Sequence, residues 1–146
     1  MNAHTVRMRR AFSLLELMVV IVVIAVLAAV VVPRFVDHAR RGREAGLRHN
    51  LAQLRTAAAT FQADTGYYPK ALVDLASTSP PAQAYDSTGT LRSVPPGDWH
   101  GPYIGSLPVD PISGTPFTYT VSAPGVGTVT SSAAGNDLTG VPFSAY

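Results

Sequence analysis

The chain of 146 residues, 47% hydrophobic and 14% charged, is long enough for one small domain and a membrane segment. The absence of cysteine excludes a domain held together by disulfide bonds. The formal net charge of +2 conceals an asymmetry, because nine of the 11 basic residues fall between Arg7 and Arg55, whereas six of the nine acidic residues are aspartates beyond residue 60.

A basic segment followed by a long apolar run opens the chain. Arg7, Arg9 and Arg10 precede residues 11–32, in which Glu16 is the only charged residue. As a helix, residues 14–32 are about 28 Å long, close to the roughly 30 Å of a bilayer's hydrocarbon core. No small-residue cleavage site bounded by polar sequence follows the run, so we expect the helix to be retained. A carboxylate in a membrane helix costs about 2.5–3.5 kcal/mol near the bilayer centre, and less near the interface, unless it is neutralised or paired. Glu16 therefore indicates a functional role and requires a partner.

The helical pattern continues beyond Pro33 as an amphipathic stem. Its apolar positions are spaced by four and three residues: Leu47, Leu51, Leu54, Ala58 and Phe61. Pro33 lacks an N–H group and predicts a kink, and Gly66 followed by Pro69 predicts the end of the helix. The sequence therefore predicts one helix of about 50 residues, apolar all round at first and amphipathic later.

The remainder predicts a small head with antiparallel strands. A short helix is expected over residues 70–76, and residues 77–102, rich in Ser, Pro, Gly and Ala, are expected to form a long loop. Residues 117–121 and 126–130 alternate around a turn and predict a hairpin. Residues 136–146 fit either a last strand or an irregular tail. Three aromatic residues are expected in the small core of the head: Trp99, Tyr103 and Phe117.

Residues 9–16, Arg-Arg-Ala-Phe-Ser-Leu-Leu-Glu, resemble the N-terminal motif of type IV pilins and type II secretion pseudopilins. In that family a prepilin peptidase cuts before the Phe of a G-F-T-L-x-E pattern and methylates the new amine. The resemblance implies cleavage between Ala11 and Phe12 and N-methylation of Phe12, although Ala11 stands where the family almost always has Gly. It also implies a cytoplasmic N-terminus, which the arginines on both sides of the apolar run leave open. Pro33 matches the proline at which family helices bend or melt on assembly.

Cleavage would supply the partner that Glu16 requires. The new amine of Phe12 can pair with Glu16 of a neighbouring subunit or of its own chain. A buried carboxylate is tolerated only when it is paired, so Glu16 is interpreted as a device that sets the stagger of subunits in a filament. The alternative is a protonated glutamate in a plain signal anchor.

A second resemblance covers the head. Tyr67-Tyr68-Pro69, residues 101–104 (Gly-Pro-Tyr-Ile) and residues 107–111 (Leu-Pro-Val-Asp-Pro) are similar to the pattern of the major pseudopilins, with Ile112 in place of a Trp. Many of those proteins bind calcium in a C-terminal loop. By this resemblance Asn136 and Asp137 are candidate oxygen ligands for calcium, and an ordinary polar turn is the preferred interpretation of residues 131–137.

Enzymatic and nucleic-acid functions have weaker support. The four histidines lack metal-ligand spacing, and neither a G-x-S-x-G context nor a phosphate-binding glycine loop is present. Residues 34–55 are rich in arginine, which also suits nucleic acid or anionic lipid. The preferred interpretation is a stem face that is solvated or lies at the level of the lipid headgroups, and that meets the acidic heads of neighbouring subunits in a filament.

We therefore expect an α+β, pilin-like chain that is not an enzyme, with a leader (1–11), a transmembrane and filament-core helix (12–33), a helical stem (34–66) and a head (67–146). The expected function is that of a filament subunit, foremost the major pseudopilin of a type II protein secretion system. The expected partners are further copies of the chain, minor pseudopilins or pilins, the prepilin peptidase, and an inner-membrane assembly platform with its ATPase. The expected location is the bacterial inner membrane, with a periplasmic head, and then the filament. The alternatives are a type IV pilus subunit for adhesion, motility or DNA uptake, and a signal-anchored periplasmic binding domain or enzyme.

Overall fold

The computed structural model describes residues 13–146, except for the side chains of Val32, Pro33, Arg34 and Val36. The chain divides into a first unit that ends at Ala39 and a second unit, Arg40–Tyr146. One long helix, α1 (Leu14–Thr65, 52 residues), begins in the first unit and ends in the second. The prediction of a single helix of about this length is thus confirmed.

The first unit contains the apolar part of α1. Leu14–Val31 is the only stretch among the described residues that is long and apolar enough to cross a membrane. Its side chains are exposed in the single chain. The helical assignment continues through position 33. The predicted kink at Pro33 depends on a side chain outside the described part of the chain and stays a prediction.

In the second unit, α1 buries the predicted apolar stripe. Leu54 and Phe61 are fully buried, and Leu47, Leu51 and Ala58 are nearly so. The helix ends where Gly66 adopts φ +75°, and the Gly66 N–H donates to the Gln62 carbonyl at 2.8 Å. Glycine suits this left-handed position because it has no Cβ.

Two hydrophobic clusters form the core of the second unit. Both include residues of the α1 stripe, which the head covers. The first cluster comprises Leu47, Leu51, Leu54, Phe117, Val129, Ala133 and Phe143. The second comprises Ala57, Ala58, Phe61, Leu75, Ala84 and Val94, with Trp99 and Tyr103 packed against it. The predicted aromatic core residues therefore lie in the core, divided between the two clusters.

The prediction that residues 77–102 form a long loop is wrong in part, because the segment contains a hairpin. Within it, β1 (Gln83–Tyr85) pairs antiparallel with β2 (Leu91–Ser93), and a 3-10 turn follows at Pro96–Asp98. Asp86 stabilises the hairpin turn, because its carboxylate accepts the backbone N–H groups of Thr88 and Thr90. The sequence pattern missed this hairpin because no sustained alternation of apolar and polar residues marks it.

The predicted second hairpin is confirmed. Strand β3 (Thr118–Thr120) pairs antiparallel with β4 (Thr128–Thr130), with Tyr119 opposite Val129. Gly127, at φ +85°, lies against the ring of Tyr68, and a Cβ there would overlap the ring. The two hairpins form separate two-stranded sheets rather than one sheet.

The remaining segments are short. The helix expected over residues 70–76 is a 3-10 helix, Leu72–Ala76. Of the two alternatives for residues 136–146, the irregular tail is observed, with one bridge between Asn136 and Pro142 and a 3-10 turn at Phe143–Ala145. The described chain is thus an α+β fold built on one long helix.

Candidate functional site

The apolar part of α1 presents Glu16 as the only acidic residue of its first turn. A carboxylate near a helix N-terminus interacts favourably with the helix dipole, so Glu16 does not oppose the start of the helix. The side chains around it, such as Leu15 and Leu17, are large, apolar and exposed. The proposed cleavage and methylation residues, Ala11 and Phe12, lie outside the described residues. Cleavage, methylation and the pairing of Glu16 therefore stay predictions.

The head motifs contact one another. The Tyr119 hydroxyl of β3 donates to the carbonyl of Pro69 at 2.8 Å, and burial raises the pKa of Tyr119. The Tyr103 N–H donates to the Leu75 carbonyl at 2.8 Å, and the Tyr103 hydroxyl donates to Asp64 at 3.0 Å. The motif residues near positions 69 and 103 thus join strand β3 and the C-terminal end of α1 to the rest of the head.

Asp110, the acid of the Leu-Pro-Val-Asp-Pro motif, is fully buried. Its carboxylate accepts the backbone N–H groups of Ile112 at 2.8 Å and of Ser132 at 3.1 Å. It also accepts the hydroxyl of Ser131. Burial alone would raise the pKa of Asp110, but the hydroxyl and N–H donors outweigh burial and the pKa is lowered. Asp110 therefore holds the segment after it against the chain that leaves β4.

The two residues predicted to bind calcium occupy a tight turn. The Asp137 side chain is fully buried. The carbonyl of Asn136 accepts a hydrogen bond from Arg40 Nη2 at 2.7 Å. Among the described residues, no group of three His, Cys, Asp or Glu side chains is placed to hold a metal ion. Calcium takes six to eight oxygen ligands, so this turn would need further acceptors directed at the same point.

The donors around Asp137 do not fit a cation. The N–H groups of Thr139 and Val141 each lie 2.8 Å from Asp137 Oδ1, and the Thr139 hydroxyl contacts both carboxylate oxygens. Arg48 and the Tyr146 hydroxyl donate to Oδ2. The Tyr146 hydroxyl is the largest influence that lowers the pKa of Asp137, and the Thr139 and Val141 donors add to it. In this geometry the carboxylate is already satisfied by protein donors, so the residues present do not fit calcium.

Several stem arginines bind the head of their own chain. Arg40 and Arg48 donate to residues of the 136–137 turn, and Arg55 donates to the carbonyl of Val129 at 2.8 Å. The interpretation of residues 34–55 as a solvated face did not anticipate these contacts. The sequence did contain one indication of these contacts: Arg40, Glu44 and Arg48 are spaced by four residues, and residues with this spacing share one helix face.

Comparison with known proteins then identifies the family. A family model described as the prokaryotic N-terminal methylation motif matches residues 6–32, which include Ala11, Phe12 and Glu16. The type II secretion system core protein G of Klebsiella pneumoniae is 34% identical over 101 residues, which is 65% of this chain and 72% of that protein. The protein of the same name from Klebsiella michiganensis is 32% identical over 65% of this chain and 71% of its own length. This chain belongs to the type II secretion system core protein G family.

The match extends further in one relative of this pseudopilin. The type II secretion system core protein G of Vibrio cholerae is 29% identical over 125 residues, which is 82% of this chain and 84% of that protein. No solved structure matches the chain. The family resemblance of the head motifs is therefore confirmed by sequence, and the α+β pilin-like fold is that of a pseudopilin subunit anchored by an apolar helix.

Proposed function

We propose that this chain is the major pseudopilin of a type II protein secretion system. The observation that carries the proposal is the combination, in one chain, of the methylation motif at residues 6–32 and a head related to core protein G. The exposed apolar helix Leu14–Val31 then serves first as a membrane anchor and later as the core of a filament. The role is structural, and an assembly ATPase supplies the work.

The proposed location follows from the same features. Before assembly, the chain resides in the inner membrane with its N-terminus in the cytoplasm and its head in the periplasm. A prepilin peptidase cuts between Ala11 and Phe12 and methylates the amine of Phe12. The assembly platform then adds the subunit to a homopolymer that minor pseudopilins accompany. N-terminal sequencing of the membrane-bound chain should therefore begin at Phe12; a sequence that begins at Met1 would contradict the processing step.

Glu16 is proposed to pair with the Phe12 amine when α1 leaves the bilayer and packs among other helices. Removing one partner of a buried ion pair leaves an uncompensated charge, which costs about 3–5 kcal/mol. A difference of about 1.4 kcal/mol is a factor of ten in an equilibrium. We therefore expect Glu16→Gln to lower the filament yield at least about tenfold while membrane insertion and cleavage continue.

The matched control is Asp37→Asn, because Asp37 is an exposed carboxylate of α1 outside the apolar stretch. It should leave the filament yield and the export of secreted proteins as in the wild type. Filaments are measured by shearing and immunoblotting, and insertion by membrane fractionation. Wild-type filament yield in Glu16→Gln would overturn the register role of Glu16. Export that continues after deletion of the gene would overturn the secretion function itself.

A further inference from the structure

The turn at residues 135–141 presents donors where a metal site would present acceptors. The backbone N–H groups of Thr139 and Val141 point to Asp137 Oδ1, and the N–H of Leu138 points to Glu44 Oε1 at 3.1 Å. The carbonyl of Val141 accepts the N–H of Asp137 at 2.8 Å. A hard cation requires carbonyl and carboxylate oxygens directed inward, so this backbone is arranged around an anion.

One face of α1 supplies the charges that match this turn. Arg40, Glu44 and Arg48 follow one another at intervals of four residues, and Arg40 Nε also lies 3.2 Å from Glu44 Oε1. Arg40 binds the carbonyl of Asn136, Glu44 accepts the N–H of Leu138, and Arg48 Nη2 lies 3.1 Å from Asp137 Oδ2. Three consecutive residues of the turn, 136–138, are therefore each bound by one of three side chains that lie about one helical turn apart on the same face of α1.

Tyr146 completes the arrangement around Arg48. The Tyr146 hydroxyl donates to Asp137 Oδ2 and accepts a hydrogen bond from Arg48 Nη2 at 2.8 Å. The guanidinium carbon of Arg48 also lies 5.2 Å from the centre of the Tyr146 ring, within the range of a cation–π contact. Arg48 is half exposed, whereas Asp137 is fully buried, so the helix brings a positive charge to a buried negative one.

We propose that Arg48, with Tyr146, takes the place of a metal ion in this head and closes the 135–146 segment on α1. The positive charge that balances Asp137 is then part of the chain. The stability of the second unit is consequently independent of calcium. This inference concerns how the head is held together, and it does not depend on the proposed function.

The test uses the whole chain in detergent micelles. Thermal unfolding is followed by the fluorescence of Trp99, the only tryptophan, which packs edge-on against Tyr103 in the second cluster. Hydrogen exchange of the 135–146 segment, measured by mass spectrometry, reports the turn itself. The wild-type chain should show the same Tm and the same exchange with calcium chloride and with a calcium chelator. A higher Tm or slower exchange in calcium would overturn the proposal.

Variants test the protein cation directly. Arg48→Met removes the charge and keeps an apolar stem, and it should lower the Tm by about 5 °C or more and speed exchange of the segment. Arg48→Lys keeps the positive charge and should lower the Tm less than Arg48→Met does. Tyr146→Phe removes only a hydroxyl and should lower the Tm by less than Arg48→Met does. This variant remains informative if Arg48→Met does not fold.

The matched control is Arg41→Met, because Arg41 is an exposed arginine of the same helix, next to the charged face formed by residues 40, 44 and 48. It should leave the Tm and the exchange unchanged. If Arg48→Met behaves as Arg41→Met does, Arg48 does not hold the turn and the proposal fails.

Discussion

At the residue scale, this head depends on two buried carboxylates that protein donors satisfy. Asp110 binds the segment after β4, and Asp137 binds the 139–141 turn. A buried carboxylate is stable only when its hydrogen bonds are made, so each acid fixes the position of the chain that donates to it. Motif resemblance drew attention to both residues, but their partners, Ser131 and Arg48, came only from the structure.

Replacing Asp110 by asparagine tests this role. The amide cannot accept all the N–H and O–H donors around it, so we expect Asp110→Asn to lower the free energy of unfolding by about 1–3 kcal/mol at neutral pH. Chemical denaturation of the whole chain in detergent measures the change. Asp98→Asn is the control, because Asp98 is exposed, and it should change the stability by less than about 0.5 kcal/mol.

The effect of Asp110 should depend on pH. Its pKa is lowered in the folded chain, so the unfolded chain binds the proton more readily. The stabilising contribution is therefore complete above the unfolded pKa of about 3.9 and is lost as the pH falls below it. The difference between wild type and Asp110→Asn should shrink as the pH falls from about 4 towards the folded pKa. A difference that stays constant over this range would contradict the assignment.

At the element scale, the second part of α1 organises the head through its apolar stripe. All five positions predicted by the spacing of four and three residues are buried, and they reach both hydrophobic clusters. The hairpin β3–β4 was also predicted, because its strands alternate around a turn with Gly and Pro. Hairpin β1–β2 was missed, since its three-residue strands depend on the Asp86 turn and on a bridge between Tyr68 and Tyr85.

Leu54→Ala tests the stripe. Leu54 is fully buried in the first cluster, so the truncation should leave a cavity and cost about 2–5 kcal/mol of unfolding free energy. Gln53→Ala is the control on the adjacent, exposed position and should cost less than about 0.5 kcal/mol. Urea titrations followed by Trp99 fluorescence compare the two. Equal stability of both variants would show that the stripe does not support the head.

At the scale of the whole molecule, the chain divides at Ala39 into a unit with an exposed apolar helix and a unit with a core of its own. Both hydrophobic clusters lie within Arg40–Tyr146. A unit that contains its complete core is expected to fold independently of the preceding segment.

A fragment that comprises Arg40–Tyr146 should therefore fold in water without detergent. Its Tm and Trp99 emission should agree with those of the whole chain in micelles. A shorter fragment, residues 56–146, lacks the three leucines of the first cluster and should be unfolded, because a small domain cannot lose so much of its core. An unfolded 40–146 fragment would show instead that the first unit contributes to the stability of the head.

Local sequence patterns were sufficient to predict the long helix, its apolar first part, the buried stripe, the second hairpin and the pseudopilin family. Each of these depends on local periodicity or on a contiguous motif, which can be recognised without knowledge of distant contacts. The prediction of calcium at Asn136 and Asp137 rested on the family resemblance alone. Cleavage and methylation at Ala11 and Phe12 stay predictions, since both residues lie outside the described part of the chain.

The contacts that close the head join parts of the chain that are distant in sequence. Arg48 and Asp137 are separated by 89 positions, and Asp110 and Ser131 by 21, so no local pattern joins them. Whether a buried carboxylate faces a metal ion or a guanidinium depends on which donors the folded chain brings to it. Here α1 brings an arginine to Asp137, and the proposal of a protein cation at this turn rests on that contact.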